Sequence, residues 1–404
     1  MITAPARARS IAGLPFPYAS FLGGLTISKL GDAIYTFALP WISFELTHNA
    51  VVMGALYATE ILPVLLFGAF AGVFVDRWER RKLMLMADAI RAGIVAVLPL
   101  LHYFSALQIW HLFIAAFALA LVSLAFEIST TAVIPELAGS DLTRANASHQ
   151  LIMQAGSMAG PALAGLVIAA MGGFNALWLD AASFSGTFLV LLGLPAFRKE
   201  ESARNATTVV EGIKEGFRWL WGNSVIKVMS LQATMGNFGF GMVSAVLMYY
   251  LRDTLGLSAE ISGLNYAMLG VGGMLGSLAI VPLSRRYRKG QLYPAILLFG
   301  MSGLLLMALL KVWWAPGLGF GMVSACNVAW VVLSTGVRQE LIPAELLGRV
   351  LTFSRMLSTA AMPVGAVVGG LLTQSFDPAV VFLIAALTKG VEYLIATHSP
   401  MHKL

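Results

Sequence analysis

Long runs of apolar residues, separated by short polar connections, fill most of the chain between residues 20 and 397. Each run is long enough, as an α-helix, to cross the hydrocarbon layer of a membrane, which takes about 20 residues. Backbone groups in lipid must hydrogen-bond to one another, so we expect helices. The pattern predicts twelve spans, at 20–46, 51–75, 83–104, 108–133, 145–171, 174–194, 226–251, 259–283, 291–312, 316–339, 350–374 and 378–397.

Basic residues mark every second connection, whereas the alternate connections hold little beyond Arg252 and Lys311. Cytoplasmic loops are enriched in lysine and arginine, so we expect a multi-pass protein of the plasma (inner) membrane with both termini in the cytoplasm. Met1–Tyr18 lacks an apolar core followed by a cleavage site, and we interpret it as a tail rather than a signal peptide. The basic set comprises Arg77, Arg80, Arg81, Lys82, Arg144, Arg198, Lys199, Arg204, Lys214, Arg218, Arg285, Arg286, Arg288, Lys289 and Arg349.

The longest polar stretch divides the chain into two sets of six spans. We therefore expect an N-terminal six-helix bundle at 1–195, a cytoplasmic linker at 196–225 and a C-terminal six-helix bundle at 226–404. Within the linker, Val209–Trp221 has the pattern of an amphipathic helix. It either lies on the inner membrane face or serves as a plain linker helix.

An internal repeat relates the two halves. Gly160 and Gly165 follow Arg144 by 16 and 21 residues, and Gly365 and Gly370 follow Arg349 at the same spacings. Each arginine comes after an Ile-Pro pair and opens a glycine-rich span, the fifth and the eleventh. Corresponding positions in two halves favour a duplication.

Composition excludes most other classes of protein. The chain is 58% hydrophobic and only 11% charged, whereas a soluble domain carries about 25% charged residues. The net charge of +6 is spread over the connections, so we expect no nucleic-acid partner. Cys326 is the only cysteine, and the six histidines lack paired spacing, so we expect no metal. The phosphate-binding Gly-x-x-x-x-Gly-Lys-Ser/Thr, Gly-x-Ser-x-Gly and His-Glu-x-x-His are missing from the sequence, and we expect neither an enzyme nor a cofactor.

The loop after the second span contains Gly72, Asp76, Arg77, Arg80 and Arg81. This spacing resembles the signature loop of the major facilitator superfamily, except that Glu79 replaces the usual glycine before the basic pair. We interpret the motif as a gate that holds the halves together on the cytoplasmic side; the alternative is ordinary basic loop charge. Glu127 and Glu136 are candidate partners for Arg77 or Arg81.

A second motif, in the fifth span, contains Gly156, Gly160, Pro161 and Gly165. It resembles the helix-five motif of the drug–proton antiporters in that superfamily, with Ala164 in place of one glycine. Small residues let two helix backbones approach closely, and proline bends a helix. The motif therefore predicts a pivot and seal between the halves, or generic helix packing.

Further segments resemble the branch that contains macrolide efflux pumps and siderophore exporters. The resemblance covers essentially the whole chain. It implies an all-α integral membrane fold of twelve transmembrane helices in two six-helix bundles, with alternating access around a central cavity and export of small molecules. The segments are Leu30-Gly31-Asp32, Ala38-Leu39-Pro40-Trp41, Ile134-Pro135-Glu136-Leu137, Arg144-Ala145-Asn146, Trp178-Leu179-Asp180, Gln339-Glu340 and Gly348-Arg349-Val350.

Acidic residues inside the spans are candidates for proton coupling, because charges in lipid are costly and usually functional. Asp32 follows Lys29 by three residues. It either takes up and releases protons, forms a fixed ion pair with Lys29, or contacts a cationic substrate. Glu60 and Glu127 have no basic residue within one helical turn, and either one is an alternative proton carrier.

Two further pairs of opposite charge, Asp88 with Arg91 and Lys389 with Glu392, share this spacing of three residues. Opposite charges at that spacing neutralise each other on one helix, so we interpret both pairs as structural. Asp180 lies near the outer end of the sixth predicted span, where we expect it to cap the helix.

Polar stripes on the fifth and tenth spans, and one unpaired arginine on the eleventh, suggest the lining of a substrate cavity. The stripes serve equally well as hydrogen bonds between helices. Trp41 is expected as an interfacial anchor. The cavity candidates are Gln150, Gln154, Asn327, Arg338 and Arg355.

The sequence therefore predicts a secondary active transporter that exports amphipathic small molecules in exchange for protons. The alternatives are a facilitator or importer of a metabolite, and a membrane sensor that transports nothing. We expect a monomer in the lipid bilayer, with a small-molecule substrate and protons as its partners.

The predicted topology has a direct test. The turns at 77–82 and 285–289 should both react with a membrane-impermeant thiol reagent from the cytoplasmic side after single-cysteine substitution, because basic loops remain there. Labelling of the two turns from opposite sides would contradict the twelve-span arrangement.

Overall fold

The fold is built almost entirely from helices. The computed structural model describes residues 10–11, 14–75, 77–139, 141–194, 196–197, 206–399 and 401. Two-residue strands, β1 (Ser10–Ile11) and β2 (Leu14–Pro15), form a small antiparallel pair. The helices are α1 Phe16–Thr47, α2 Ala50–Val75, α3 Arg80–Tyr103, α4 Ile109–Ala138, α5 Leu142–Met171, α6 Gly173–Gly193, α7 Ala206–Gly222, α8 Ser224–Tyr249, α9 Ala259–Arg286, α10 Lys289–Leu309, α11 Ala315–Leu341, α12 Ala344–Ser375 and α13 Ala379–His398.

Each predicted span coincides with one long helix, which confirms the predicted fold class. Among the described residues, ten helices are long and apolar enough to cross a membrane. The long helices α1 and α8 fall outside that set because polar residues such as Lys29, Asp32 and Gln232 lower their hydropathy. A π-helical turn, Tyr250–Thr254, extends α8.

The additional helix, α7, joins the N-terminal half (α1–α6) to the C-terminal half (α8–α13). It covers the predicted amphipathic segment and packs against the start of α12. Glu215 forms an ion pair with Arg349, and the rings of Phe217 and Phe353 meet edge to face at 5.3 Å. The linker helix is thus attached to the C-terminal half through the arginine of the internal repeat.

Glycines bring the two halves into backbone contact where α5 crosses α9. A Cβ atom at Gly165 would lie 2.5 Å from the Ala259 carbonyl oxygen and 3.1 Å from Gly263 Cα. Such distances leave no room for a side chain. The predicted contact between halves therefore lies at Gly165, whereas Gly160 packs against Ala33 of α1 within its own half.

The internal repeat places an equivalent crossing between α12 and α2. A Cβ atom at Gly370 would lie 2.6 Å from the Ala50 carbonyl oxygen. Gly365, like Gly160, instead packs within its own half, here against Phe238 of α8. In each half, the first glycine of the repeat packs locally and the second contacts the other half.

Both crossings lie toward the helix ends that face away from the basic loops. Closer to those loops, α2 and α12 separate around a cavity of about 380 Å³ that α4 also lines. At the α2–α12 crossing, the halves are therefore in contact away from the basic loops and apart closer to them.

We predict that Gly165→Ala and Gly370→Ala shift the protein away from this closed arrangement. A methyl group forced into a packed contact costs about 1–3 kcal/mol. Because Ala50 is 3% exposed beside Gly370, an Ala50→Cys reporter should react faster with a thiol reagent in the Gly165→Ala variant. Gly336→Ala is the matched control, since a Cβ atom there meets nothing within 4 Å. Equal labelling rates in all variants would contradict the assigned role.

Candidate functional site

A cavity of about 370 Å³ lies between α1, α2 and α5 of the N-terminal half and α8, α9 and α11 of the C-terminal half. It is lined mainly by apolar and aromatic side chains, together with the charged Lys29 and Glu60. Cavities of this size, with few polar groups, suit small organic ligands. The aromatic lining residues are Phe37, Tyr57, Phe240, Tyr266 and Phe320.

Glu60 is the only acidic side chain in this lining. It makes no ion pair within the part of the chain that the structure describes. One turn earlier on α2, Tyr57 also lines the cavity, and Tyr57 interacts electrostatically with Glu60. A carboxyl group here therefore faces the ligand space without a basic partner.

Aromatic contacts between the halves close the cavity on the side away from the basic loops. Phe37 of α1 meets Tyr266 of α9 edge to face at 5.4 Å. The Arg252 guanidinium lies 3.8 Å from the ring centroid of Trp41. The prediction that Trp41 is an interfacial anchor is wrong: it is 5% exposed and packs between the halves.

Lys29 connects two of the three predicted proton carriers. Its Nζ donates to Asp32 Oδ2 at 2.8 Å and lies 3.6 Å from Glu127 Oε1. The fixed ion pair between Lys29 and Asp32, one of the alternatives from the sequence, is present. Glu127 has a basic partner after all, contributed by α1 rather than by its own helix.

The second cavity, on the side of the basic loops, brings Glu127 and Arg355 together. Both line its wall, one from each half, along with Thr131, Thr352 and Thr359. The Glu127 side chain is 58% exposed. The structure thus places an acidic and a basic candidate on facing walls of one opening.

The loop motif makes contacts within the N-terminal half. Arg80 Nη1 donates to Glu136 Oε1 at 2.8 Å, so Glu136 contacts Arg80 rather than Arg77 or Arg81. Arg81 donates from Nε to the Leu191 carbonyl oxygen and from Nη2 to the Leu192 carbonyl oxygen, each at 2.7 Å. These bonds fasten α3 to α4 and to the end of α6.

Three further positions of the motif have different environments. Glu79, the departure from the family pattern, accepts from the N–H groups of Arg81 and Lys82 and caps α3. Arg77 is exposed, and a Cβ atom at Gly72 would meet nothing within 4 Å. Asp76 lies outside the described residues.

The remaining candidates do not gather at one place. Gln154 Nε2 donates to the Gly270 carbonyl oxygen across the halves at 3.1 Å, as expected for a hydrogen bond between helices. Gln150 is exposed, and Asn327 and Arg338 are half-buried. Neither Gln150, Asn327 nor Arg338 lines the central cavity or the Glu127–Arg355 cavity. Of the helix-five motif, Gly156 and Pro161 line the central cavity.

Both predicted structural pairs are formed in the interior. Arg91 pairs with Asp88, and Lys389 Nζ donates to Glu392 Oε2 at 3.0 Å. The prediction that Asp180 caps a helix is wrong. Its side chain is completely buried, and α6 begins at Gly173 after the cap residue Gly172.

Sequence reasoning missed most of the cavity lining, although a usable signal was present. Continuing the helical face of Lys29 in steps of three or four residues reaches Ala33, Phe37 and Pro40, all of which line the cavity. The same steps backwards from Glu60 reach Met53, Leu56 and Tyr57.

The chain is similar in sequence to one large family and to efflux pumps within it. The family model described as Major Facilitator Superfamily matches residues 21–339. The multidrug efflux pump Tap of Mycobacterium tuberculosis is 27% identical over 391 residues, covering 93% of this chain and 91% of the relative. Macrolide efflux protein A of Streptococcus pyogenes is 24% identical over 363 residues, covering 86% and 87%.

Solved structures share the fold. The nucleoside transporter NupG superimposes with a TM-score of 0.75 at 16% identity, covering 94% of this chain and 98% of that one. A bacterial homologue of the iron transporter ferroportin, in an inward-facing state, gives a TM-score of 0.71 at 19% identity, covering 95% and 98%.

We predict that Lys29→Met lowers the apparent melting temperature and that adding Asp32→Asn recovers part of the loss. Removing only the cation leaves carboxylates without their partner in a low-dielectric site. Neighbouring pairs typically couple by about 0.5–3 kcal/mol. Lys289→Met breaks an exposed pair with Glu340 and should have a small effect. A double variant no more stable than Lys29→Met would contradict the pairing.

Proposed function

The chain belongs to the major facilitator superfamily, and we propose that it exports amphipathic small molecules across the plasma membrane in exchange for protons. The observation that carries this proposal is the central cavity, where one carboxyl group without a basic partner lies among aromatic side chains. Membership of this family supports a multi-pass membrane transporter.

Because the other charged lining residue, Lys29, is paired with Asp32, the lining favours an apolar, aromatic substrate with a positive charge that Glu60 can bind. Phe37, Tyr266 and Phe320 offer ring faces and edges to a planar ligand. Glu60 would attract an ammonium group, because a carboxylate in an apolar wall gains from an opposite charge. The relatives whose names give multidrug and macrolide efflux support export as the direction.

Proton coupling follows from competition for Glu60. A proton and a cationic substrate cannot both neutralise this carboxyl group, so binding of one favours release of the other. Asp32 and Glu127 are less suited to this role in the described arrangement, because Lys29 already compensates them. We therefore assign the coupling site to Glu60 among the three candidates.

Alternating access would use the two glycine crossings. With the basic loops and both termini in the cytoplasm, as the charge pattern predicts, the described arrangement faces inward and takes up substrate from the cell. Separation at Gly165 and Gly370, with closure around Glu127 and Arg355, would then expose the cavity outward.

The decisive experiment uses purified protein in liposomes oriented with the basic loops outward. An acidic lumen should drive accumulation of a fluorescent cationic dye, since outward-moving protons exchange for dye. Glu60→Gln should abolish the response to the pH gradient. Glu340→Gln, an acid-to-amide change at an exposed pair with Lys289, is the matched control and should behave like the wild type.

Two other outcomes of this liposome assay would indicate a function other than proton-coupled export. Dye flux that ignores the pH gradient indicates a facilitator. Flux of no compound in a broad panel, by protein that remains folded, indicates a sensor and overturns the transport proposal.

A further inference from the structure

Asp180 lies in the interior of the N-terminal half, away from both cavities. Its side chain is completely buried. On the same helix, Ser183 Oγ donates to the Asp180 carbonyl oxygen at 2.7 Å and lies 3.5 Å from Asp180 Oδ1. Asp180 Oδ2 has no hydrogen-bond partner among the described residues. Gly31 of α1 packs directly on this pair, since a Cβ atom there would lie 2.7 Å from Asp180 Oδ1.

No basic side chain of the described residues forms an ion pair with this carboxyl group. The helices packed against α6 contribute Lys29 and Asp32 from α1, and Asp88 and Arg91 from α3. Lys29 pairs with Asp32, and Arg91 pairs with Asp88. Each base thus has an ion-pair partner other than Asp180, although both also attract Asp180, so three carboxyl groups share two bases.

Arg91 is held in place by two rings and by its ion pair. Its guanidinium lies 4.0 Å from the ring centroid of Phe126 and 4.5 Å from that of Phe184. These two contacts and the ion pair hold it beside Asp88, and no ion pair with Asp180 forms within the described residues. By contrast, the interior pair of the C-terminal half, Lys389 with Glu392, is balanced.

Two polar groups of α1, Tyr35 and Asp32, interact electrostatically with Asp180. Tyr35 of α1 interacts electrostatically with both Glu60 and Asp180, and its buried hydroxyl group has no hydrogen-bond partner among the described residues. Asp180 also interacts, unfavourably, with Asp32, whose side chain is 27% exposed. Asp180 therefore interacts with a tyrosine that itself interacts with Glu60 of the central cavity, and with a carboxyl group that reaches solvent.

We propose that Asp180 is a second proton site of the transporter, which holds a proton while Glu60 binds substrate. An uncompensated carboxylate inside a membrane bundle is costly, whereas a carboxylic acid is neutral. The proton enters from Glu60 past Tyr35 and leaves toward Asp32 on the side of the basic loops. No bond other than O–H forms or breaks. This inference rests on the proposed proton coupling and adds a residue that the cavity itself does not contain.

Transport by Asp180→Asn tests the proposal, because an amide keeps the shape but binds no proton. In the liposome assay above, we expect this variant to lose accumulation driven by the pH gradient and to retain exchange of labelled for unlabelled dye at equal pH. Asp377→Asn is the matched control. Asp377 lies in a loop, where the hydrogen bond from Lys311 holds the pKa of its carboxyl group below the usual range. Gradient-driven accumulation at the wild-type level in Asp180→Asn would overturn the proposal.

A second measurement separates a proton site from a structural carboxyl group. Adding dye to wild-type protein in weakly buffered detergent should release protons, detected with a pH indicator, and Asp180→Asn should release fewer. If wild-type protein shows no pH-driven transport, proton coupling fails as a whole. If wild-type transport is coupled and Asp180→Asn releases as many protons as the wild type, only the role of Asp180 fails.

Discussion

Backbone contact between the two halves is the constraint on which the rest of the structure depends. At Gly165 and at Gly370, a helix of one half touches a helix of the other without an intervening side chain. Helices that meet so closely at one end must separate toward the other end unless they are parallel. The central cavity and the Glu127–Arg355 cavity occupy the space that this separation creates.

The same backbone contact explains why the two glycines of each repeat pack against different halves. Gly160 and Gly365 hold α5 and α12 against α1 and α8 of their own halves. The second glycine of each repeat, five residues later, faces the opposite half, because a step of five residues turns a helix by about 140° beyond a full turn. Each repeat helix therefore joins its own half on one face and contacts the other half on another face.

Interior charges are distributed unequally between the halves. The C-terminal half contains the balanced pair Lys389–Glu392, whereas the N-terminal half contains Asp180 in addition to its two pairs. Buried charge in a membrane bundle is tolerated only when it is compensated or functional, and both proton sites that we propose, Glu60 and Asp180, lie in the N-terminal half. Arg80 and Arg81 fasten α3 to α4 and α6 within this half.

The sequence alone determined the number of helices, their approximate ends and the family, because the length of an apolar run and the loop motif are local properties. It also determined the pairs Asp88–Arg91 and Lys389–Glu392, since partners three residues apart on a helix are neighbours in any fold. Only the tertiary structure decided that Lys29 reaches Glu127, that Glu79 caps α3 and that Asp180 is enclosed. Those facts depend on which helix faces which, and the order of residues along one helix does not contain that information.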